Sequence, residues 1–505
     1  MNYHPEGMQM WDAWFCTKGD TVHAFHLQRL RANSARSVTE SDGIGHAVSK
    51  DLVHWEERPM AILPGEQGGL EDMGLFTGCT VGDGERYYTF YTMRSTREAG
   101  RVQRTGVAIS SDDALDRWEK YAGNPVIVPD SRYYCSPDAP ALYGTVDCRD
   151  LCVVESPDGK GYYGFYAARL PAEEMPEGAA IACCYSEDLL HWTQLPPAFR
   201  AERFSIVEVP EVFLLGGKWY MLMLCNNEYG NRDIFPEEPR LTMGTIYAVA
   251  DSIQGPYRLQ EDYILMASES YNGISCRTLL FQGERMALYT SADRGLPYDS
   301  FPPCMGVLST PKKLEVRDGC LRMVYSSLIE TDRREQLLEA GTPIHIGRLP
   351  YETPGSWWVD GRTITGSVRT AWARHTFAAT ARSFLYRANV RIDSGAGAGL
   401  VFKASPEGYG GCVAMLNPGI GEVQLLRLPN LAILESRKMP LEYGVSYDVR
   451  VVSKDQYLEV FVNDVLMLQC VHYAARQGHL GLMVDRGEAA FIQPEAYRLD
   501  CPEED

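Results

Sequence analysis

Three segments place acidic residues inside apolar or aromatic sequence: Asp12 in MWDAWF, Asp150 in DCRDLCVV, and Glu208, with Glu211, in IVEVPEVFLL. A carboxylate in such surroundings loses hydration, so it must be paired or have its pKa raised, and both conditions recur where carboxylates do chemistry. Glycoside hydrolysis needs such groups in combination: one carboxylate attacks or activates water, and a second, protonated, donates to the leaving oxygen. Each residue also has a structural reading. Asp12 could cap a turn, Asp150 could pair with Arg149, and an odd separation along a strand puts Glu208 and Glu211 on opposite faces, one of them toward solvent. Other chemistries lack their signals, since no HExxH, no GxSxG and no Gly-rich loop ending in Lys-Ser/Thr occurs. His23 and His26 offer only a weak metal spacing, and the fourteen cysteines contain no CxxC pair. The sequence therefore predicts no metal, no cofactor and free thiols.

These groups must be positioned by strands. Helical periodicity is nearly absent, while short runs rich in Val, Ile, Tyr, Phe and Thr recur, each closed by turn residues. YYTFYTM follows GDGER, YYGFYA follows PDGKG, and KWYMLML follows Gly216-Gly217, each like the second strand of a hairpin. Their spacings of 75 and 56 residues suit the blades of a propeller with long loops. A second repeat is sharper: SKDLVHW at 49–55, SEDLLHW at 186–192 and a degenerate SDDALDRW at 111–118, each after a β-run. Such elements read as equivalent corners of successive blades rather than as active sites. The charged stretch TDRREQLLEA at 331–340 is the one helical or linker candidate. Beyond it, alternating runs such as SFLYRANVRI, GLVFKAS, YDVRVVS and YLEVFVND mark a β-sandwich. The expected division is 1–335 for a propeller and 336–505 for a linker and sandwich.

With 48 basic and 67 acidic residues the net charge is −19, which repels nucleic acid and anionic membrane surfaces. No run approaches 18 apolar residues, and MNYHPEGMQMWDAWF lacks the basic start and apolar core of a secretory signal, so a soluble, cytoplasmic protein is expected. Self-association is left open.

Taken in order, GIGHAVSKDLVHWE, LFTGCTV, GVAISSDD with RWEKYAGNPVI, CRDLCVV, IVEVPEVFLLGGKWYML and GVLSTPKKLEVRDGCL resemble glycoside hydrolase families 32 and 68, the β-fructosidases and levansucrases, and LEVFVND resembles a strand of the family 32 C-terminal sandwich. The resemblance implies a five-bladed β-propeller with an axial active site, followed by a β-sandwich, and a carbohydrate as partner. It implies Asp12 as nucleophile, Asp150 as transition-state stabiliser and Glu208 as general acid/base, the first and last about 5 Å apart in a retaining enzyme. Trp11, Trp14, Gln28, Phe76, Arg149 and Glu211 complete the candidate substrate-binding set, the aromatics as walls against sugar faces. The sequence departs from the family 32 pattern. Trp11-Asp12-Ala13-Trp14 is closer to the family 68 Trp-Asp motif than to Asn-Asp-Pro-Asn-Gly, Leu151 replaces the Pro after Arg-Asp, and Val209-Pro210-Glu211 replaces Cys-Pro-Asp. An unusual fructoside, a fructose dianhydride or a transfer reaction all stay open, as do an arabinofuranosidase-like or phosphorylase activity on the same fold and a non-catalytic sugar-binding propeller.

Overall fold

The computed structural model describes residues 3–30, 41–141, 144–171, 178–201, 204–227, 235–270, 272–292, 305–338, 349–405, 410–472 and 476–500. The β-rich runs form strands: YYTFYTM is Tyr87–Met93, YYGFYA opens Tyr162–Arg169, and KWYMLML opens Lys218–Asn226. Each is the second strand of a four-stranded antiparallel sheet. Four such sheets run from Met8–Lys18 to Glu56–Ile62, from Leu75–Gly82 to Glu119–Lys120, from Arg149–Glu155 to Thr193–Arg200, and from Glu208–Leu215 to Arg258–Ser268. A fifth begins with Ile274–Phe281 and Glu284–Ala292 and continues through Lys312–Arg317 and Cys320–Tyr325. The first strands touch one another in order, one with two through five and five with one, which closes a five-bladed propeller about an axis they line. Adjacent blades bury their apolar faces against each other; Phe165, Val212, Met221, Met223 and Ile246 fill the space between blades three and four.

The repeated Ser/Asp/Trp elements are corners, and the reason is visible in their hydrogen bonds. Ser49 Oγ accepts from the Leu52 amide at 2.9 Å, Asp51 Oδ1 accepts from those of Val53 and His54 at 2.9 and 2.8 Å, and Trp55 Nε1 donates to Leu52 O at 3.2 Å. Ser186, Asp188 and Trp192 repeat the pattern. In the degenerate copy the serine accepting from the Asp112 amide is Ser110, one residue earlier than the motif suggested, while Trp118 still reaches Leu115 O at 2.7 Å. Each corner turns on a leucine at positive φ, Leu52, Leu115 or Leu189.

The alternating runs of the last third form two packed sheets. One joins Trp372–Ala381, Gly478–Asp485, Gly397–Ala404, Cys412–Asn417, Glu422–Arg427 and Ala432–Lys438. The other contains Phe384–Ser394, Ser446–Lys454, Tyr457–Val462, Val465–Val471 and Glu488–Leu499. Phe384, Phe402, Leu425, Val460, Leu480 and Phe491 form the core between them. The second sheet continues directly from blade five, where Val324 pairs with Val465. Beneath that junction Lys312 and Glu459 form a buried ion pair at 2.5 Å, and Glu459 also accepts from Tyr289 Oη at 2.6 Å. The stretch 331–340, a helical or linker candidate, holds no α-helix among its described residues: Ser327–Asp332 make a short 3₁₀ turn, and Arg333–Gln336 is a strand paired with Glu488–Leu499. Pairing with an open sheet edge overrode the helix-favouring composition; the last two residues of that stretch lie outside the described residues.

Candidate active site

Each innermost strand carries one extra residue near its start. Trp11 and Trp14 oppose Leu27 and Phe25; Phe76 and Gly78 oppose Thr92 and Tyr91; Arg149 and Cys152 oppose Ala167 and Phe165. Glu208 and Glu211 oppose Leu224 and Leu222, and Ile274 and Arg277 oppose Thr290 and Leu288. The bulges lie at Asp12, Thr77, Asp150, Val209 and Ser275. Four of these five have positive φ: 48° at Asp12, 63° at Asp150, 52° at Val209 and 52° at Ser275. A bulge re-aims a side chain, and left-handed backbone is costly for any residue but glycine, most of all for β-branched valine. Strain kept at equivalent positions of four blades marks the axis as the site. The bulge also corrects the alternation argument. Because Leu224 and Leu222 are two residues apart, Glu208 and Glu211 share one face.

The bulged residues bond to one another. Thr77 Oγ1 and Ser275 Oγ donate to Asp12, one to each carboxylate oxygen. The Val209 amide donates to Asp150 Oδ2 at 3.1 Å, and the Asp150 amide donates to Thr92 Oγ1 at 3.1 Å. Arg149 links two of the acids: its Nε and Nη2 both donate to Glu208 Oε2 at 3.2 Å, and Nε lies 3.5 Å from Asp150 Oδ2. Asp147 holds the guanidinium from behind at 3.1 Å and takes Arg169 Nε at 2.6 Å. Blades one, three and four thus bring Asp12, Asp150 and Glu208 together although they are far apart in sequence.

Burial pushes all three carboxyls above the ordinary range. For Asp12 the Ser275 and Thr77 donors, then Arg277 and Arg149, pull it back. For Asp150 the Arg149 charge opposes the rise while Glu208 and Asp12 add to it. For Glu208 Arg149 again opposes, and Asp12 adds. Three mutually repelling acids in a desolvated site favour keeping a proton near neutral pH, and hydroxyl donors on both oxygens favour leaving Asp12 ionised. A retained proton beside an ionised carboxylate is the equipment for cleaving an acetal.

The remaining candidates fall differently. Trp11 and Phe76 pack in one apolar cluster with Val209 and Ile274, with Arg29 5.8 Å from the Trp11 ring and Arg94 4.1 Å from the Phe76 ring. Trp14 is a core residue instead: 2% exposed, stacked on Phe25 and donating to Thr80 Oγ1 at 3.0 Å, it presents no face to a ligand. Gln28 is buried on the second strand of blade one, its side-chain oxygen packed against Gly45. Glu211 is held by the Thr278 amide and hydroxyl at 3.0 and 2.7 Å and by Arg277 Nη1 at 3.1 Å. Arg277 also donates to Pro210 O and Gly78 O, tying blades two, four and five around the axis. His23 and His26 diverge, one toward His46 at 2.9 Å and the other toward Tyr3 Oη at 3.3 Å. Among the described residues no group of three or more His, Cys, Asp or Glu is placed to hold a metal. Thr77, Ser275 and Arg277 were not foreseen; their only sequence signal was membership of short β-runs, and hydroxyl residues are common in strands.

Close packing at the ring gives a stability prediction. A Cβ on Gly78 would lie 1.8 Å from Phe90 O, a backbone atom that cannot step aside. Gly78→Ala is expected to cost about 3 kcal/mol, read as a lowered thermal midpoint.

Comparison with known proteins agrees with this geometry. Residues 20–259 match the model of the glycosyl hydrolases family 32 N-terminal domain. Over that segment the chain is similar to glycosyl hydrolase family 32. The matched segment includes Asp150 and Glu208 and begins after Asp12, so Asp12 rests on its place in the ring. Among curated proteins the chain is 30% identical over 167 residues to an invertase of Schizosaccharomyces pombe, covering 30% of this chain and 24% of that protein. It is 42% identical over 89 residues to a levanase of Bacillus subtilis, covering 16% of this chain and 12% of that protein. The chain thus spans a quarter or less of these relatives. Solved structures share the fold throughout: a Bombyx mori GH32 beta-fructofuranosidase superposes with a TM-score of 0.70 at 16% identity, covering 99% of this chain and 93% of that one. A sucrose-6-phosphate hydrolase from Lactobacillus gasseri gives 0.72 at 14% identity, covering 99% and 92%. A five-bladed propeller followed by a β-sandwich is the architecture of these neighbours, and this chain is built the same way.

Proposed function

We propose that this chain is a family 32 enzyme, a retaining glycoside hydrolase or transglycosidase acting on a β-fructoside or another fructose-containing oligosaccharide. The observation that carries the reading is the ring of bulges, which aims Asp12, with a hydroxyl donor on each oxygen, at the axis where Glu208 and Asp150 share Arg149. In this mechanism ionised Asp12 attacks the anomeric carbon while Glu208 passes its proton to the leaving oxygen. Glu208, now a carboxylate, then activates water or an acceptor sugar hydroxyl, and the second displacement releases Asp12. Asp150 accepts hydrogen bonds from sugar hydroxyls and strengthens them as the ring flattens. Trp11, Phe76, Arg149 and Glu211 belong to the wall and floor of the pocket; Trp14 and Gln28 support it from behind. Residues 1–335 form the proposed catalytic unit and 336–505 the sandwich domain, with Arg333–Gln336 pairing across the boundary. Among the described residues no helix is long and apolar enough to cross a membrane, and twelve cysteines are free, which supports work in a reducing, cytoplasmic setting.

The test is release of reducing sugar from a panel of sucrose, inulin, levan and aryl fructosides, with and without inorganic phosphate. Turnover of a fructoside without phosphate supports the proposal. Turnover only with phosphate identifies a phosphorylase, and binding without turnover a sugar-binding propeller. Because the mechanism uses carboxylates alone, EDTA should leave the rate unchanged; loss that calcium restores counts against it.

Arg149 provides a pH test. Its charge lowers the Glu208 pKa, so Arg149→Gln should raise it. The proton donor works only below its pKa, so the alkaline limb of the kcat/KM profile should move to higher pH. An unmoved limb removes Glu208 as the group that sets it.

A further inference from the structure

On the fructoside reading above, we propose that Glu435, a residue of the sandwich, is a positioning residue for Asp12. Glu435 lies on Ala432–Lys438 and is 1% exposed. Its carboxylate accepts from the Glu269 amide at 2.6 Å, the Ser270 amide at 3.2 Å, Asn272 Nδ2 at 3.3 Å and Ser270 Oγ. These donors belong to the connection between blade four, whose last strand ends at Ser268, and blade five, whose inner strand begins at Ile274. One residue further is Ser275, the donor to Asp12 Oδ1. The sandwich also holds the end of the strand that leads into this connection, where Gln469 Nε2 donates to Ala267 O at 3.1 Å. Gly273, at φ 78°, leaves no room between them: a Cβ there would lie 2.5 Å from Met266 Cε and 3.3 Å from Gln469 Nε2.

The physical argument is one of placement. Ser275 holds a left-handed backbone, a conformation that persists only where its surroundings enforce it. The residues just before it have their donors gathered onto one buried carboxylate, anchored in a different domain. A buried carboxylate is a poor source of stability compared with an apolar side chain of similar size, so its use here fits fixing a geometry rather than adding cohesion. The charged groups facing it are Glu269, itself bonded to Ser436 Oγ at 2.5 Å, and Arg240, 3.6 Å from Glu269. Released from Glu435, the connection lets Ser275 drift, and one Asp12 oxygen loses its donor.

The test is a double-mutant cycle in the full-length chain. Glu435→Gln should lower kcat on a turned-over fructoside about tenfold or more, with KM within about threefold, since misplacement by a fraction of an ångström is felt in the chemical step. Ser275→Ala should lower kcat by itself, and adding Glu435→Gln to it should cost nothing further, because the path through Ser275 is already gone. Additive losses, or wild-type kcat in Glu435→Gln, overturn the proposal. Ser270→Ala, which removes one of the four contacts, carries the same cycle if Glu435→Gln does not fold. Should wild-type protein turn over no fructoside, the functional reading fails first. Hydrogen exchange of residues 272–277 then decides the positioning: faster exchange in Glu435→Gln upholds it, and unchanged exchange refutes it.

Discussion

Asp12→Asn is expected to abolish turnover of every fructoside, whatever its leaving group. If Asp12 attacks the anomeric carbon, the amide leaves no nucleophile, and the loss should be about 10⁴-fold or more in kcat. The fold should survive, because the amide oxygen can still accept from Thr77 or Ser275. Stability should even rise at neutral pH. Burial raises the folded-state pKa of Asp12, so wild-type protein loses stability as pH climbs from the ordinary aspartate range toward that raised value. Asparagine carries no such cost, and its thermal midpoint should exceed that of wild type by more at pH 8 than at pH 4. Steady-state kinetics and thermal unfolding at both pH values check the two halves. Residual activity of a few per cent on any substrate would remove Asp12 from the nucleophile's role.

Glu208→Gln should behave differently. It removes the proton donor but leaves the nucleophile, so sucrose and fructans, with poor leaving groups, should slow by about 10²- to 10⁴-fold. An aryl fructoside with an acidic phenol leaves without help, and its first step should proceed near the wild-type rate. In the wild-type enzyme the first-formed product should keep its anomeric configuration, because two displacements restore it. Inversion, or a Glu208→Gln enzyme as fast as wild type on sucrose, would sink the assignment. Glu211 is the next acid in sequence, yet its oxygens are taken by Thr278 and Arg277, so it could replace Glu208 only by leaving both partners.

The strands, the corners and the propeller-sandwich order were legible because each is local: β-branched and aromatic runs between turn residues, and a Ser/Asp pair capping the turn before a tryptophan. The acids were legible for a related reason, since a carboxylate in an apolar run stands out against the cost of burying it. The core position of Trp14 could not be told from sequence, because an aromatic beside a reactive group looks the same whether it faces the axis or the next blade. The 331–340 stretch read only as helical or linker because the open strand edge it pairs with is supplied by the folded sandwich alone.

What the amino-acid order determined by itself was the inventory: hairpins spaced like propeller blades, a sandwich, and carboxylates in three apolar settings. What only the tertiary structure decided was which side chains those carboxylates meet. A one-residue bulge reverses every alternation that follows it and leaves almost no mark in composition, so the shared face of Glu208 and Glu211 could not be counted from spacing. Thr77, Ser275 and Glu435 stand 65, 263 and 423 residues from Asp12 along the chain. Closure of the ring and docking of the sandwich, both products of long-range burial, bring them to it.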